Sequence, residues 1–175
     1  MAYTNSSLVS YTKLSPNHSG QRTHSIDRIT PHCVVGQCSV ETLGNIFLPT
    51  SRQASSNYGI GVDGRVGMYV EEKNRSWCSS SNANDQRAVT IECASDTTEP
   101  YAFRDVVYQT LIKLCVDICK RNGKTDSCFG SVIRQRLSIT IQSRTRWYLP
   151  FTDGLQTNPV RATGCMPVWA TLQKR

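Results

Sequence analysis

The sequence lacks any apolar run long enough to span a bilayer, and its first residues lack the basic start and apolar stretch of a secretory signal. We therefore expect a protein made in the cytoplasm without a signal peptide and without membrane insertion. No two of the eight cysteines form a C-x-x-C pair, which argues against zinc-ribbon and thioredoxin sites. We expect most of them to be reduced thiols of a protein made inside the cell.

What is present is typical of one globular domain. The chain has 175 residues, of which 38% are hydrophobic and 19% charged. Its net charge of +7 is uneven, because residues 1–125 carry 13 Lys/Arg against 11 Asp/Glu, while residues 126–175 carry 7 against 2. Because the excess positive charge is confined to the tail, it argues against a nucleic-acid-binding surface on the domain. Strongly salt-dependent binding to DNA would be needed to support nucleic acid as a partner. We expect a monomer with no nucleic-acid partner.

Up to residue 125, hydrophobic periodicity and turn signals predict an α/β layer structure. Residues 1–25 are polar and rich in turn residues, which predicts an irregular arm. The predicted elements are a strand at 28–35, a helix at 39–47, a hairpin at 58–70 around Asp63-Gly64, a strand at 88–94, and a helix that begins with Thr98 and Pro100 and stops at Asn122-Gly123.

After residue 125 this pattern stops. Residues 126–175 contain no Glu and no His, their prolines are scattered, and no amphipathic helix fits the final thirty residues. Only residues 138–141 favour a short strand. The sequence therefore divides into the N-terminal part of a domain, 1–125, and a tail, 126–175, which we expect to be irregular and poorly ordered.

Two side chains in the predicted strands suggest chemistry. His32 lies in an apolar strand, where it is either a core histidine or a metal ligand. Glu92 lies between Ile91 and Cys93, and a carboxylate is costly to bury there without a salt bridge or a function. Hydrolysis of an amide needs an electrophile, an activated water and a proton shuttle. A zinc ion at His32 and a shuttle at Glu92 would supply two of these requirements.

Three segments resemble the zinc-dependent N-acetylmuramoyl-L-alanine amidases of phage lysins and bacterial cell-wall hydrolases, a group that shares its fold with the peptidoglycan recognition proteins. They are HCVVGQ at 32–37, SSNYGIGVDGRVGMYVEEKNRSWCSS at 55–80 and NDQRAVTIE at 84–92. The resemblance covers about residues 1–125. It implies a mainly mixed central β-sheet flanked by helices, with a shallow groove above one zinc ion. It also implies peptidoglycan as the partner, reached in the cell wall after release of the protein from the cell.

The resemblance assigns a role to each matching position. His32 corresponds to the first zinc ligand, and Glu92 to the carboxylate that helps to activate the attacking water in many members. Asn57 and Tyr58 fall on the strand that lines the groove, and Trp77 lies in the loop that follows, so that all three are expected substrate contacts. The scissile bond is the amide between N-acetylmuramic acid and the L-alanine of the stem peptide.

The family's other two zinc ligands do not appear where the resemblance requires them. The second is a His in a segment like TVHRWF, and the third is a Cys in a segment like NKSCPGD, but no His follows His32 and Cys165 lies in the unlike segment ATGCMPV. We therefore expect zinc to be weakly held or absent and this chain to be inactive. The alternatives are recruitment of other ligands, such as Cys33 or Cys165, and a module that binds peptidoglycan without cleaving it.

The genetic code offers a reason for the missing motifs. If synonymous codons are chosen for residues 147–173 and read from the third base of each codon, they can spell VLTVHRWFANKSCPGDWLYARMGDIA. This string contains both missing motifs in order. Because two bases of each shifted codon are largely dictated by the visible residue, such a match over two dozen positions is improbable by chance. We therefore hypothesise a frameshift close to Thr125.

Overall fold

The structure is a computed structural model, and it describes residues 3–123 and 149–150. Its centre is a mixed six-stranded sheet, which confirms the predicted α/β class with a mixed sheet and flanking helices. In spatial order the strands are β1 (Val9–Thr12), β5 (Val66–Met68), β4 (Tyr58–Ile60), β7 (Ala88–Cys93), β3 (Arg28–Cys33) and β8 (Leu149–Pro150). A separate antiparallel pair joins β2 (His18–Gln21) to β6 (Asn74–Ser76). The helices are α1 (Val40–Phe47), a 3-10 turn (Thr50–Arg52), α2 (Asn82–Asp85) and α3 (Asp105–Arg121).

The central strands β3 and β7 run parallel in unbroken register from Arg28–Ala88 to Cys33–Cys93. All six residues of β7 are buried, because the sheet is covered on both faces at this point. The predicted hairpin is confirmed, with β4 and β5 antiparallel about the turn at Asp63-Gly64. Gly64 occupies a positive φ of 81°, a conformation that glycine adopts without a steric penalty.

The two faces of the sheet differ in character. On one face, α3 packs its buried apolar stripe against residues that include Ile29, Val89 and Ile91. Because side chains alternate along a strand, His32 and Glu92 lie on the opposite face. That face also carries a buried hydrogen-bonded cluster, which includes the side chains of Thr30, Asn57, Ser76, Asn84 and Thr90.

The helix α1 borders the polar face. Ser39 caps it, since its hydroxyl accepts a hydrogen bond from the Thr42 amide at 3.2 Å. Leu43 and Phe47 are buried and cluster with Val34 and Tyr69 beside the polar face. The sequence had predicted this helix from the spacing of the same apolar residues.

Two expectations about the elements were wrong. The helix α3 begins at Asp105 instead of near Thr98 and Pro100, because the Tyr101 amide donates to the Thr98 carbonyl at 2.7 Å and closes a tight turn there. The arm at 1–25 is also not irregular throughout, since it contains β1 and β2. In β1, half-buried residues alternate with exposed ones, and the strand pairs with β5. With only four residues, this alternation is too short to be recognised in the sequence.

Within the tail, the structure describes only β8, which pairs antiparallel with β3 at the edge of the sheet. Pro150 lies on this edge strand, where proline is tolerated more readily than in a central strand. The strand predicted at 138–141 and the expected disorder of the rest of 126–175 lie outside the described residues. Among the described helices, none has the length and apolar character that a bilayer crossing requires.

Candidate active site

His32 and Glu92 meet on the polar face of the sheet. They are register partners on the parallel strands β3 and β7, so that their side chains leave the sheet side by side. Glu92 is 5% exposed and His32 is half-buried. The Nε2 atom of His32 is buried, and within residues 3–123 it has no hydrogen-bond partner. A buried imidazole nitrogen without a partner is unfavourable unless something else binds it, and imidazole is a common metal ligand.

A third side chain, Cys78, completes a cluster that the sequence did not predict. Its Sγ lies 3.6 Å from Glu92 Oε1, to which the thiol donates a hydrogen bond. Ligand atoms of His32, Cys78 and Glu92 all lie within 4.8 Å of one another. Across the part of the chain that the structure describes, no other three His, Cys, Asp or Glu side chains come together in this way. The only signal in the sequence is that Cys78 lies inside the segment RSWCSS, next to Trp77.

The loop that carries Cys78 is fixed from both sides. The Asp85 carboxylate, which is wholly buried, accepts hydrogen bonds from the amides of Cys78 at 3.1 Å and Ser79 at 3.0 Å, and from the Ser79 hydroxyl. On the other side, the Ser55 hydroxyl accepts from the Trp77 amide at 3.0 Å. These bonds set the position of the thiol before any ligand binds.

Burial changes the acidity of two of these groups. It raises the pKa of Glu92, although His32, the hydrogen bond from Cys78 and the charge of Arg52 oppose the change. A carboxyl group with a raised pKa gains and loses a proton closer to neutral pH, as a proton shuttle must. Burial, helped by the Glu92 charge, also raises the pKa of Cys78 well above its usual range. This favours the protonated thiol, which is a poor nucleophile.

A shallow cleft gives access to Glu92. Its walls are mainly apolar side chains of α1 and the segment that precedes it, and Arg52 lies at its side. The lining residues are Cys33, Val34, Leu43, Ile46, Phe47, Arg52 and Glu92. Cys33, which the sequence left open as an alternative ligand, does not belong to the three-residue cluster, and its register partner is Cys93.

Two of the three expected substrate contacts lie in the interior. Asn57 is wholly buried, and its amide accepts from Arg22 at 2.9 Å and donates to the Val70 carbonyl at 3.1 Å. Tyr58 is also wholly buried, and its hydroxyl donates to Glu72 at 2.7 Å. Within the described residues, both side chains therefore support the sheet.

Trp77 differs from these two residues because its ring is only half-buried. Its indole N–H donates to the Ser19 hydroxyl at 2.7 Å, which orients the ring next to the loop of Cys78. Aromatic rings with one accessible face are common at sites that bind extended ligands. The structure therefore leaves Trp77 available for the role that the sequence suggested.

Comparisons with known proteins bear on the family and the fold. A family model described as N-acetylmuramoyl-L-alanine amidase matches residues 11–145. A mutant endolysin from Bacillus subtilis has a similar structure, with a TM-score of 0.54 and 10% identity over 73% of this chain and 94% of that one. A mutant of PlyL is similar at a TM-score of 0.53 and 9% identity, over 75% of this chain and 95% of its own. These two likenesses support the fold alone. No curated protein shows significant sequence similarity to this chain.

Proposed function

Because this chain belongs to the N-acetylmuramoyl-L-alanine amidase family, whose members are hydrolases acting on peptidoglycan, we propose that its site is built for zinc-dependent hydrolysis of one bond. That bond is the amide between N-acetylmuramic acid and L-alanine. The observation that carries the proposal is the pairing of His32, whose buried Nε2 has no partner in residues 3–123, with the buried carboxyl group of Glu92.

Each residue has a defined part in this reaction. His32 would hold zinc, which when bound supplies Lewis acidity toward the scissile carbonyl and the attacking water. Glu92 takes a proton from the attacking water and returns it to the leaving nitrogen of L-alanine, a role for which its raised pKa is suited. Trp77 packs against the glycan or stem peptide at the rim, and the apolar cleft walls limit the access of bulk water.

We further propose that the chain as it stands does not complete the reaction. In the family, the zinc that activates the attacking water is held by the counterpart of His32 together with a second His and a Cys. The family's second His and its Cys are missing from the sequence of 126–175, and the frameshift hypothesis accounts for both losses. Peptidoglycan remains the proposed partner, reached in the cell wall after release from the cell. Sequencing the coding DNA around codon 125 tests the frameshift directly.

A matched pair of chains tests the function. One is the chain as it stands, and the other carries VLTVHRWFANKSCPGDWLYARMGDIA in place of the corresponding tail. Both are incubated with purified peptidoglycan, and release of L-alanine amino groups is measured. We expect release by the restored chain only. Cleavage by the present chain would contradict its inactivity, while a folded restored chain without cleavage would contradict the amidase assignment.

Glu92→Gln in the restored chain separates catalysis from metal binding. Loss of a general base slows hydrolysis by roughly a hundred-fold or more, whereas the zinc content should not change. The conservative Glu92→Asp variant serves as a control that keeps the carboxylate. Unchanged turnover in Glu92→Gln would show that the carboxylate has only a structural role.

The second candidate function is binding of peptidoglycan without cleavage. The half-buried Trp77 and the cleft favour it, because neither depends on the missing ligands. It predicts that the present chain sediments with insoluble peptidoglycan and that Trp77→Ala weakens this association. A chain that remains in the supernatant would exclude it.

A further inference from the structure

We propose that His32, Cys78 and Glu92 form a metal site in this chain as it stands, with the Cys78 thiolate as a direct zinc ligand. The inference deepens the proposed function and rests on it, because both use His32 as a ligand. It differs in assigning Cys78, which has no part in the amidase mechanism above, and in giving Glu92 a bond to the metal in this chain, whereas the restored chain uses Glu92 as the proton shuttle. It also gives this chain a means of holding a metal without the ligands that its tail lacks.

The distances favour one shared ion. Zinc binds sulfur at about 2.3 Å and nitrogen or oxygen at about 2.0–2.2 Å, so that ligand atoms around one tetrahedral zinc lie about 3–4 Å apart. The Cys78 Sγ and Glu92 Oε1 atoms are 3.6 Å apart, within this interval. All three ligand atoms lie within 4.8 Å of one another, so that movements on the order of 1 Å would bring the set to zinc geometry.

The donor set identifies the class of metal. Magnesium and calcium select oxygen ligands, and a site with one thiolate and one imidazole does not suit them. Imidazole, thiolate and carboxylate together suit zinc, which accepts nitrogen, sulfur and oxygen donors in a tetrahedral site. Three protein ligands would leave one position open. The ion would also supply the partner that the buried Nε2 of His32 lacks within residues 3–123.

The surroundings hold the thiol in place independently of the metal. Asp85, the last residue of α2, accepts hydrogen bonds from the backbone amides of Cys78 and Ser79. Such outer contacts orient ligands and raise metal affinity. On binding, the Sγ–H bond of Cys78 breaks and an Sγ–zinc bond forms, and the proton passes to solvent. The oxidation states of sulfur and zinc do not change.

A nucleophilic role for Cys78 fits the structure less well. The side chain is only 7% exposed, and its thiol hydrogen is directed at the Glu92 carboxylate. A reactive cysteine is usually accessible and lies in an electropositive environment that favours the thiolate. Here the adjacent charge is a carboxylate, which disfavours the thiolate until a cation arrives.

The test uses the full chain, stripped with a chelator and titrated with cobalt(II) as a spectroscopic substitute for zinc. We expect one cobalt per chain, with a sulfur-to-cobalt charge-transfer band that added zinc removes. Cys78→Ser should abolish the band and weaken zinc binding more than roughly ten-fold, since a lost ligand costs at least as much as a lost outer contact. The matched controls Cys38→Ser and Cys165→Ser should keep both the band and the affinity.

The possible outcomes separate the two proposals. Stoichiometric cobalt without a sulfur band in the unmodified chain overturns the role of Cys78 and leaves His32 as a proposed ligand. A band that disappears in Cys165→Ser but persists in Cys78→Ser also overturns it. If circular dichroism shows that Cys78→Ser is unfolded, the cobalt spectrum of the unmodified chain and the cobalt affinity of His32→Ala test the site instead. We expect His32→Ala to bind cobalt much more weakly. Failure of the restored chain to cleave peptidoglycan contradicts the amidase assignment without changing these spectra.

Discussion

His32 and Glu92 are register partners on the adjacent parallel strands β3 and β7, although sixty residues separate them in the chain. Their side chains therefore point to the same face at neighbouring positions of one sheet. This relationship places an imidazole and a carboxyl group together through the hydrogen-bonded pairing of two strands. The position of the pair therefore depends on the stability of the sheet around it.

Asn57 is predicted to be a structural residue. Its buried side chain bonds to Arg22, to the Thr90 amide and to the Val70 carbonyl, so that Asn57→Ala leaves several buried groups without partners. We expect a loss of at least about 2 kcal/mol in the free energy of unfolding, measured by urea denaturation. In Trp77→Phe the loss should stay below about 1 kcal/mol, and binding to peptidoglycan should weaken instead. A larger loss of unfolding free energy in Trp77→Phe than in Asn57→Ala would contradict a structural role for Asn57.

Arg121 and Glu72 form a buried ion pair that fastens the end of α3 to the loop after β5. Glu72 is 1% exposed and Arg121 17%, and the guanidinium meets both carboxylate oxygens at 2.6 and 3.0 Å. Arg121→Ala leaves the Glu72 charge buried without its partner, which should cost about 3 kcal/mol or more. The control is Arg65→Ala, which breaks an exposed pair with Glu41 and should barely shift the urea midpoint. Equal shifts would count against the burial argument.

Asp27 gives stability a dependence on pH. Burial raises the pKa of this carboxyl group, but hydrogen bonds from Arg87 and Arg28 outweigh it and hold the pKa below the ordinary value of 3.8. A lowered folded pKa means that the contribution is fully present above about pH 3.8 and is lost as the pH falls through the folded value. Asp27→Asn should therefore destabilise the protein at pH 7 by roughly 1 kcal/mol or less. The difference from the unmodified chain should vanish in strong acid, and a constant difference in urea titrations across this range would refute the assignment.

Gly59 leaves room for two buried side chains beside the site. A Cβ atom here would lie 2.7 Å from Tyr69 Cε2 and 2.8 Å from Leu43 Cδ1, and the Tyr69 hydroxyl is held by the Val40 carbonyl at 2.8 Å. Gly59→Ala should therefore lower the free energy of unfolding by about 1–3 kcal/mol. Gly36→Ala is the matched control, because its added Cβ meets only Cys38 Sγ at 3.4 Å. Thermal melts of both variants measure the difference. If Gly59→Ala leaves the melting temperature unchanged, the Tyr69 side chain must move aside to accommodate the added methyl group.

The functional elements with strong local signals were predictable from the sequence. Ser39 before an apolar helical spacing predicted α1, and Asp63-Gly64 between two short apolar runs predicted the hairpin. The unusual placement of His32 and Glu92 in apolar strands singled them out as well. Each of these signals lies within a few residues, which is the range over which capping, turn chemistry and strand alternation act.

The other residues around the site are brought there by tertiary contacts. Asn57 lies just before β4 and Tyr58 begins it, and their burial depends on hydrogen bonds with Arg22 and Glu72, which are distant in the chain. Cys78 follows a three-residue strand and has no local signal, and it reaches Glu92 because buried Asp85 holds its loop against β7. Local sequence signals predicted most of the helices and strands, whereas β1, β2 and the start of α3 depended on strand pairing and turn contacts. The cluster of His32, Cys78 and Glu92 arises from contacts between segments distant in the chain, and packing of the domain sets those contacts.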